Sequence, residues 1–288
     1  MNATSAWKIM WNEIRHDKLA IIGLVLFVLI VTVVYIWAAT IDFEAAMRID
    51  IRARDLPPSA TNIMGTDPGG RDMLLQLILS ARNSFNIAFI VTIGGALIGI
   101  LYGLFSGFYA GHVDNALMRV LDFFGMIPGI AMVIVIVSTR PNYTPTFFAM
   151  VLVFLFAWQG TARLIRAMAL RQGNMEYVAA SKTLGTRNTV IIFREVVPNL
   201  ISIITSNFTI NLAANMGVET GLTFLGFGLP FDTPSLGRLV AYARVPAAML
   251  NRSWQWLPAA LLIIVMMLCI NFVGQALNRA ADAKKRRV

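Results

Sequence analysis

The sequence predicts an all-α polytopic membrane protein with six transmembrane helices, both termini inside, and a cytoplasmic helix–turn–helix loop. Three observations carry that reading. Hydrophobic residues make up 57% of the 288 and charged residues only 14%, with a mean hydropathy of +0.69; soluble domains are nearer half apolar and a quarter charged. Six stretches run free of charge, Leu19–Ile41, Asn83–Gly111, Phe123–Thr139, Pro141–Ala162, Val196–Val218 and Ser253–Asn278. Each is about 17 residues or longer, enough to cross a roughly 30 Å hydrocarbon core. With the N-terminus inside, 15 of the 24 basic residues fall on the cytoplasmic side and nine opposite, the bias that sets orientation. Orientation and anionic membrane lipid account for the +9 charge, so no nucleic acid partner is needed.

Residues 1–18 carry Trp7, Met10, Trp11 and Ile14 at i, i+3, i+4, i+7 spacing, with Lys8, Arg15 and Lys18 elsewhere on the wheel. That pattern suits a cytoplasmic interfacial helix; the plainer alternative is a polar leader. The first span, residues 19–41, is far longer than the 7–15 apolar residues of a cleaved signal, and reads as an uncleaved anchor. An external segment, 42–82, follows. It ends in Gly65-Thr66-Asp67-Pro68-Gly69-Gly70-Arg71-Asp72, where Asp67-Pro-Gly fits a tight turn and Asp72 can cap a helix beginning at Met73.

Residues 83–278 form the core. The second span carries Gly95, Gly99, Gly103, Gly107 and Gly111, each four residues apart. In a bilayer such a row lets another helix backbone approach closely, either from this chain or from a partner subunit. The marginal third run extends back past Asp122 toward Arg119, where the two make an i+3 interfacial pair. Residues 219–252 return to the external side. Gly221, Gly226, Gly228, Pro230, Pro234 and Gly237 break any long helix there, which suits either a re-entrant, scoop-like loop or a surface loop. A basic tail, 279–288, closes the chain.

Several functions are disfavoured. No Gly-Lys pair occurs, so there is no phosphate loop of the GxxxxGK[ST] kind. No acidic residue falls at the middle of a charge-free run, which argues against a proton- or sodium-coupled carrier. The two histidines, His16 and His112, lie far apart, and the one cysteine, Cys269, has no partner. The chain therefore reads as a non-enzyme with no catalytic residues and no metal site.

The most informative stretch is Arg171–Pro198. It is too polar to cross a bilayer and lies between two runs that can. Asn174 can cap a helix starting at Met175, with Glu176 in its first turn. Ala180 and Ser181 give that helix a thin face, and Gly185 suits the left-handed stop. A second helix runs from about Asn188 to Glu195, and Pro198 starts the next span. The product is a hairpin shaped to enter a partner's groove.

These residues carry a resemblance. Glu176-Tyr-Val-Ala-Ala-Ser-Lys-Thr-Leu-Gly185, with Ile191-Ile-Phe-Arg194 and Val197-Pro-Asn199, resembles the EAA loop of binding-protein-dependent ABC transporter permeases. Within that family it is most similar to the OppC/DppC-type subunit of the peptide/nickel branch. Gly65-Thr66-Asp67 with Gly70-Arg71-Asp72, Asp122 ahead of Ile127-Pro128, and Phe224-Leu-Gly-Phe-Gly228 with Thr233-Pro-Ser235 match the same branch in order. One departure stands. Aligned on Gly185, the acid that names the loop falls at Ala179, and Glu176 belongs to the branch's Glu-Tyr-Val element.

The resemblance implies half of a heterodimeric pore in the cell membrane, beside a homologous permease subunit. Two cytoplasmic ABC ATPases would grip the loops through Glu176, Ala180, Ser181, Gly185, Arg194 and Pro198, and would carry the ATP and Mg that this chain does not. An extracytoplasmic substrate-binding protein would deliver oligopeptides or dipeptides, with nickel chelates and glutathione as other cargoes of the branch. A membrane-embedded enzyme is the alternative from another class.

Overall fold

The computed structural model describes residues 15, 17–140 and 142–285, with side chains as far as Arg279. The interfacial helix expected around Trp7 and Trp11 lies outside those residues. Besides the short helices Phe43–Met47 and Pro246–Asn251, the helices in chain order are α1 (Lys18–Thr40), α2 (Met73–Tyr109), α3 (Gly111–Met126), α4 (Gly129–Ser138), α5 (Pro145–Ala157), α6 (Gln159–Gly173), α7 (Glu176–Thr183), α8 (Asn188–Leu225), α9 (Leu236–Ala241) and α10 (Leu257–Lys285). Helices α1, α2, α8 and α10 are each long and apolar enough to span a membrane. The pairs α3–α4 and α5–α6 make two further spans if each is counted as one, bent by 67° and 44°. The chain is an all-α polytopic membrane protein.

Local chemistry sets the helix ends. The Asp17 carboxylate accepts the amides of Leu19 and Ala20 at the start of α1. Asp72 does the same for Leu74 and Leu75 at the start of α2, satisfying amides that have no partner inside the helix. Helix α2 stops at Ala110 and Gly111, both at positive φ, so Gly111 belongs to the break. Pro128, lacking an amide hydrogen, stands between α3 and α4, and Thr144 caps α5 ahead of Pro145 at its first position.

The 37 residues of α2 extend about 55 Å at 1.5 Å per residue, so its two ends reach well beyond the hydrocarbon core. It is the central strut. Around its first turns, Met73, Ile78, Phe85 and Ala88 pack with Val34 and Ala38 of α1, Met216 of α8, Leu236 of α9 and Met266 of α10. Around its last turns, Leu104 and Phe108 pack with Ile165 and Ala169 of α6, Val178 of α7, and Ile191, Val196 and Leu200 of α8. Helix α1 buries mainly small residues, among them Ala20 and Gly23, and leaves Leu19, Ile22, Val25, Leu29 and Ile36 exposed. An apolar face without protein neighbours suits lipid contact.

One run ends later than charge alone indicates. Helix α8 continues seven residues past Val218 to Leu225, where Gly226 takes a left-handed φ of 93°. Glu219, expected in a loop, is therefore helical and fully buried. Toward its start, α8 is continuous through Pro198. A wide π-turn, Ile192–Val196, precedes the proline. Such a turn makes room for a ring that would otherwise strike the carbonyl four residues back. Pro198 thus lies within a helix that has already begun.

Candidate functional site

The glycine row decides how α2 meets its neighbour. A Cβ at Gly95 would lie 2.7 Å from the Ala157 carbonyl, at Gly99 2.6 Å from that of Trp158, and at Gly103 2.5 Å from that of Ala162. At Gly107 it would overlap the carbonyl of Arg166. The row receives the α5–α6 bend within this chain, which resolves the choice left open by the pattern. Gly111 stands outside it, with nothing within 4 Å of its Cβ position. The π-turn Val153–Ala157 lies against Gly94 and Gly95, so the 44° bend sits where α2 is thinnest.

At one end of α2 the hairpin α7–turn–α8 is held from below and open above. Val178 is buried against the core, while Glu176, Ala179, Ala180, Lys182, Thr183 and Gly185 are exposed. Gly185 takes φ +77°, with open space around its Cβ position. Leu184 beside it is 84% exposed, a prominent apolar tip that the sequence pattern did not single out. The Ser181 hydroxyl lies 2.7 and 2.9 Å from the two Glu195 carboxylate oxygens and donates to them. Ser181 therefore turns inward and locks α7 to α8, leaving Ala180 as the small exposed face. Lys182 sits 4.9 Å over the Phe108 ring. Arg194 is exposed, with no ion pair among the described residues. Asn174 does not cap α7: its amide donates to the Leu170 carbonyl, and the cap position is Met175.

Beneath the hairpin, Asp114 accepts both Nε and Nη2 of Arg166 at 2.5 Å and the Ser106 hydroxyl at 2.5 Å. A bidentate, charge-assisted pair of this kind fixes geometry as well as energy, and it fastens α3, α6 and α2 together. Asp122 pairs with Arg163 of α6 at 3.0 Å rather than with Arg119.

The opposite end is closed by the Gly65–Asp72 segment. The Asp67 carboxylate is fully buried yet satisfied. It accepts the amides of Gly69 and Arg71 at 2.8 and 2.9 Å, Nε and Nη2 of Arg71 at 2.8 and 2.7 Å, and the Tyr242 hydroxyl at 3.1 Å. Burial beside that carboxylate pushes the Tyr242 pKa well above the usual phenol range. Thr66 donates its hydroxyl to the Ala53 carbonyl, and its own carbonyl accepts from Trp254 and Gln255. Gly65 and Gly70 take φ +70° and +77°. A side chain at Gly70 would collide with the Asp50 backbone, and one at Gly65 with the Leu56 carbonyl and Trp254. The motif is a bracket clamping residues 50–56, α2 and residues 242–255.

Residues 226–241 fold back over the end of α8. Gly228 and Gly237 press on Thr223 and Thr220 with no room for a Cβ. Asn83 donates to the Pro234 carbonyl, the Leu236 amide to the Ser84 hydroxyl, and Tyr143 to the Gly228 carbonyl. Buried Glu219 accepts from Thr223 and Thr220 at this junction. Between the two ends, α8 presents Asn199, Asn207, Asn211, Asn215 and Glu219 along one ridge. Thr161 of α6 bonds Asn207 and Asn211, and Thr92 of α2 bonds Asn215. The i+4 recurrence of asparagine was the available signal, diluted by the apolar residues around it.

Comparison with known proteins agrees with this architecture. Residues 95–287 match the model of the binding-protein-dependent transport system inner membrane component, and residues 5–58 match the N-terminal TM domain of oligopeptide transport permease C. The oligopeptide transport system permease protein OppC of Lactococcus lactis subsp. cremoris (strain SK11) is 40% identical over 95% of this chain and 93% of its own length. The protein of that name from Bacillus subtilis (strain 168) is 31% identical over 98% and 91%, and the dipeptide transport system permease protein DppC of the same organism 30% over 96% and 85%. The chain belongs to the family of binding-protein-dependent transport system inner membrane components.

Proposed function

We propose that this chain is the membrane permease subunit of an ATP-driven importer of oligopeptides or dipeptides. It forms half of a pore with a homologous permease and lies N-in and C-in in the cell membrane, among membrane lipid. The observation that carries the reading is the hairpin. A small, exposed, left-handed tip at Gly185 is braced on α2 through Val178 and on α8 through Ser181–Glu195, which suits a surface pushed by another protein. Two cytoplasmic ABC ATPases bind there, and ATP with Mg is hydrolysed on them. An extracytoplasmic substrate-binding protein delivers cargo at the bracket end.

Helix α8 supplies the mechanical link. It is 38 residues long, about 57 Å at 1.5 Å per residue, and carries the hairpin at one end and the returning segment at the other. Closure of the ATPases displaces the hairpin, the wide turn at Ile192–Val196 takes up the angular change, and the ridge at Asn207–Asn215 moves with α6. Two discrete packings of such elements are what an alternating pore requires.

Gly185→Arg tests the docking surface. The variant keeps its place in the membrane, since the side chain enters open space, but the assembled importer loses substrate-stimulated ATP hydrolysis. Gly185→Asn, which tolerates the left-handed conformation, retains it. Normal coupled uptake from Gly185→Arg would remove hairpin docking from the mechanism.

A further inference from the structure

Arg238, in α9, is a half-buried cation at the bracket end that makes no ion pair among the described residues. Its Nη2 donates to the Leu229 carbonyl at 2.7 Å, while Nε is buried with no acceptor. Its guanidinium carbon stands 4.4 Å from the centre of the Phe231 ring. The neighbouring charge of Arg71 is already neutralised by Asp67. Asp232 is exposed, bonds Thr233, and makes no ion pair with Arg238. Tyr143 and Tyr242, the other groups nearby, have hydroxyls committed to the Gly228 carbonyl and Asp67. Burial pushes the Arg238 pKa below the ordinary arginine value.

A buried N–H without an acceptor is costly, and a guanidinium is shaped to take a carboxylate through two parallel N–H bonds. The site also carries an apolar element. Phe231 is 86% exposed yet held over the guanidinium, so a ligand reaching Arg238 must lay part of itself on that ring. Peptides of any sequence share a terminal carboxylate next to a variable side chain. That pairing matches a cation beside an open aromatic face.

We infer that Arg238 and Phe231 form a receiving site for the C-terminal carboxylate of the incoming peptide and the side chain beside it. The inference rests on the reading of the chain as a peptide importer. Such a site reads the group that all peptides share. The same chemistry could come from an acidic side chain of the delivering protein, and the test separates the two sources.

The complete importer, with both permeases, both ATPases and the binding protein, is reconstituted in vesicles. Uptake is measured for one tripeptide as free acid and as C-terminal amide. Discrimination by the binding protein is common to every arm, so the quantity read is the acid-to-amide rate ratio, wild type against variant. Arg238→Gln is expected to lower that ratio roughly tenfold, the loss of one charge-assisted hydrogen bond, and Phe231→Ala to slow peptides with bulky C-terminal side chains more than those ending in glycine. Should Arg238→Gln fail to assemble, Arg238→Lys reads the same ratio, which is expected to fall part way. An unchanged ratio overturns the inference. So does equal slowing of acid and amide, which assigns the carboxylate to the delivering protein. Import of neither peptide by the wild type would instead refute the peptide-import reading beneath it.

Discussion

Replacing Gly103 by alanine is the sharpest test of how the central strut packs. The added Cβ would lie 2.5 Å from the Ala162 carbonyl, 2.8 Å from the Arg166 amide nitrogen and 2.9 Å from the Ile165 Cβ. Two of these are backbone atoms, so no side-chain rotation relieves the overlap. Ordinary contact begins near 3.4 Å, so α2 and α6 must part by roughly 0.9 Å, the difference of those two distances. Overpacking of this kind costs about 1–3 kcal/mol, offset by about 0.5–1 kcal/mol from replacing glycine in a helix. A net loss of about 1–2 kcal/mol is expected. Gly160→Ala is the control: it lies in α6 with nothing within 4 Å of its Cβ position, and should be neutral or slightly stabilising. The parting that relieves Gly103→Ala also makes room at Gly107, one turn on, so the double variant should cost less than the sum of the singles. Equilibrium unfolding of the inserted chain in mixed micelles, followed by tryptophan fluorescence, measures all four. If Gly103→Ala and Gly160→Ala unfold together, the glycine row is not a packing seam.

Asp67→Asn should cost about 2–3 kcal/mol in the same unfolding assay, because it removes the counter-charge of a largely buried Arg71; Arg71→Met in the same chain should recover part of that loss. An Asp67→Asn variant as stable as wild type would mean the bracket adds nothing to stability. Ser181→Ala removes a hydrogen bond to a carboxylate, worth about 1.5–3 kcal/mol. Amide exchange over residues 176–187 should rise at least about tenfold, with the global midpoint nearly unchanged. Exchange at the wild-type rate would show that α7 does not depend on that lock.

The parts legible in the sequence were those with a local cause. Asp72 and Gly185 sit where one residue type is needed for one backbone shape or one cap, and the type alone discloses the role. The spans were legible because a bilayer excludes charge along the whole width of a helix. Glu219 was misread for the same reason. A charge at the end of an apolar run looks like the end of the span, and nothing local reveals that the helix runs on to Leu225, with Thr220 and Thr223 of the same helix donating to the carboxylate. The Asp114–Arg166 clamp joins residues 52 apart in sequence, a pairing that only the folded bundle makes. Helix bends were hidden as well, since hydropathy carries no direction. Ser181 was read as small when its hydroxyl is what matters, because its acceptor, Glu195, lies on the next helix.

The bracket also fixes an order of assembly. Gln255 reaches the Thr66 carbonyl across 189 residues of chain, and Trp254 reaches it across 188. At about 5–20 residues per second of synthesis, roughly 10–40 s pass between the emergence of Thr66 and that of its partners. For that interval the first two spans stand with one end unlatched, and Asp67 waits for Tyr242. Closure of the bracket therefore reports that the chain has been made and placed as far as Gln255. A chain truncated before Tyr242 displays residues 42–72 unclamped, a mark by which proteolysis can tell unfinished chains from finished ones.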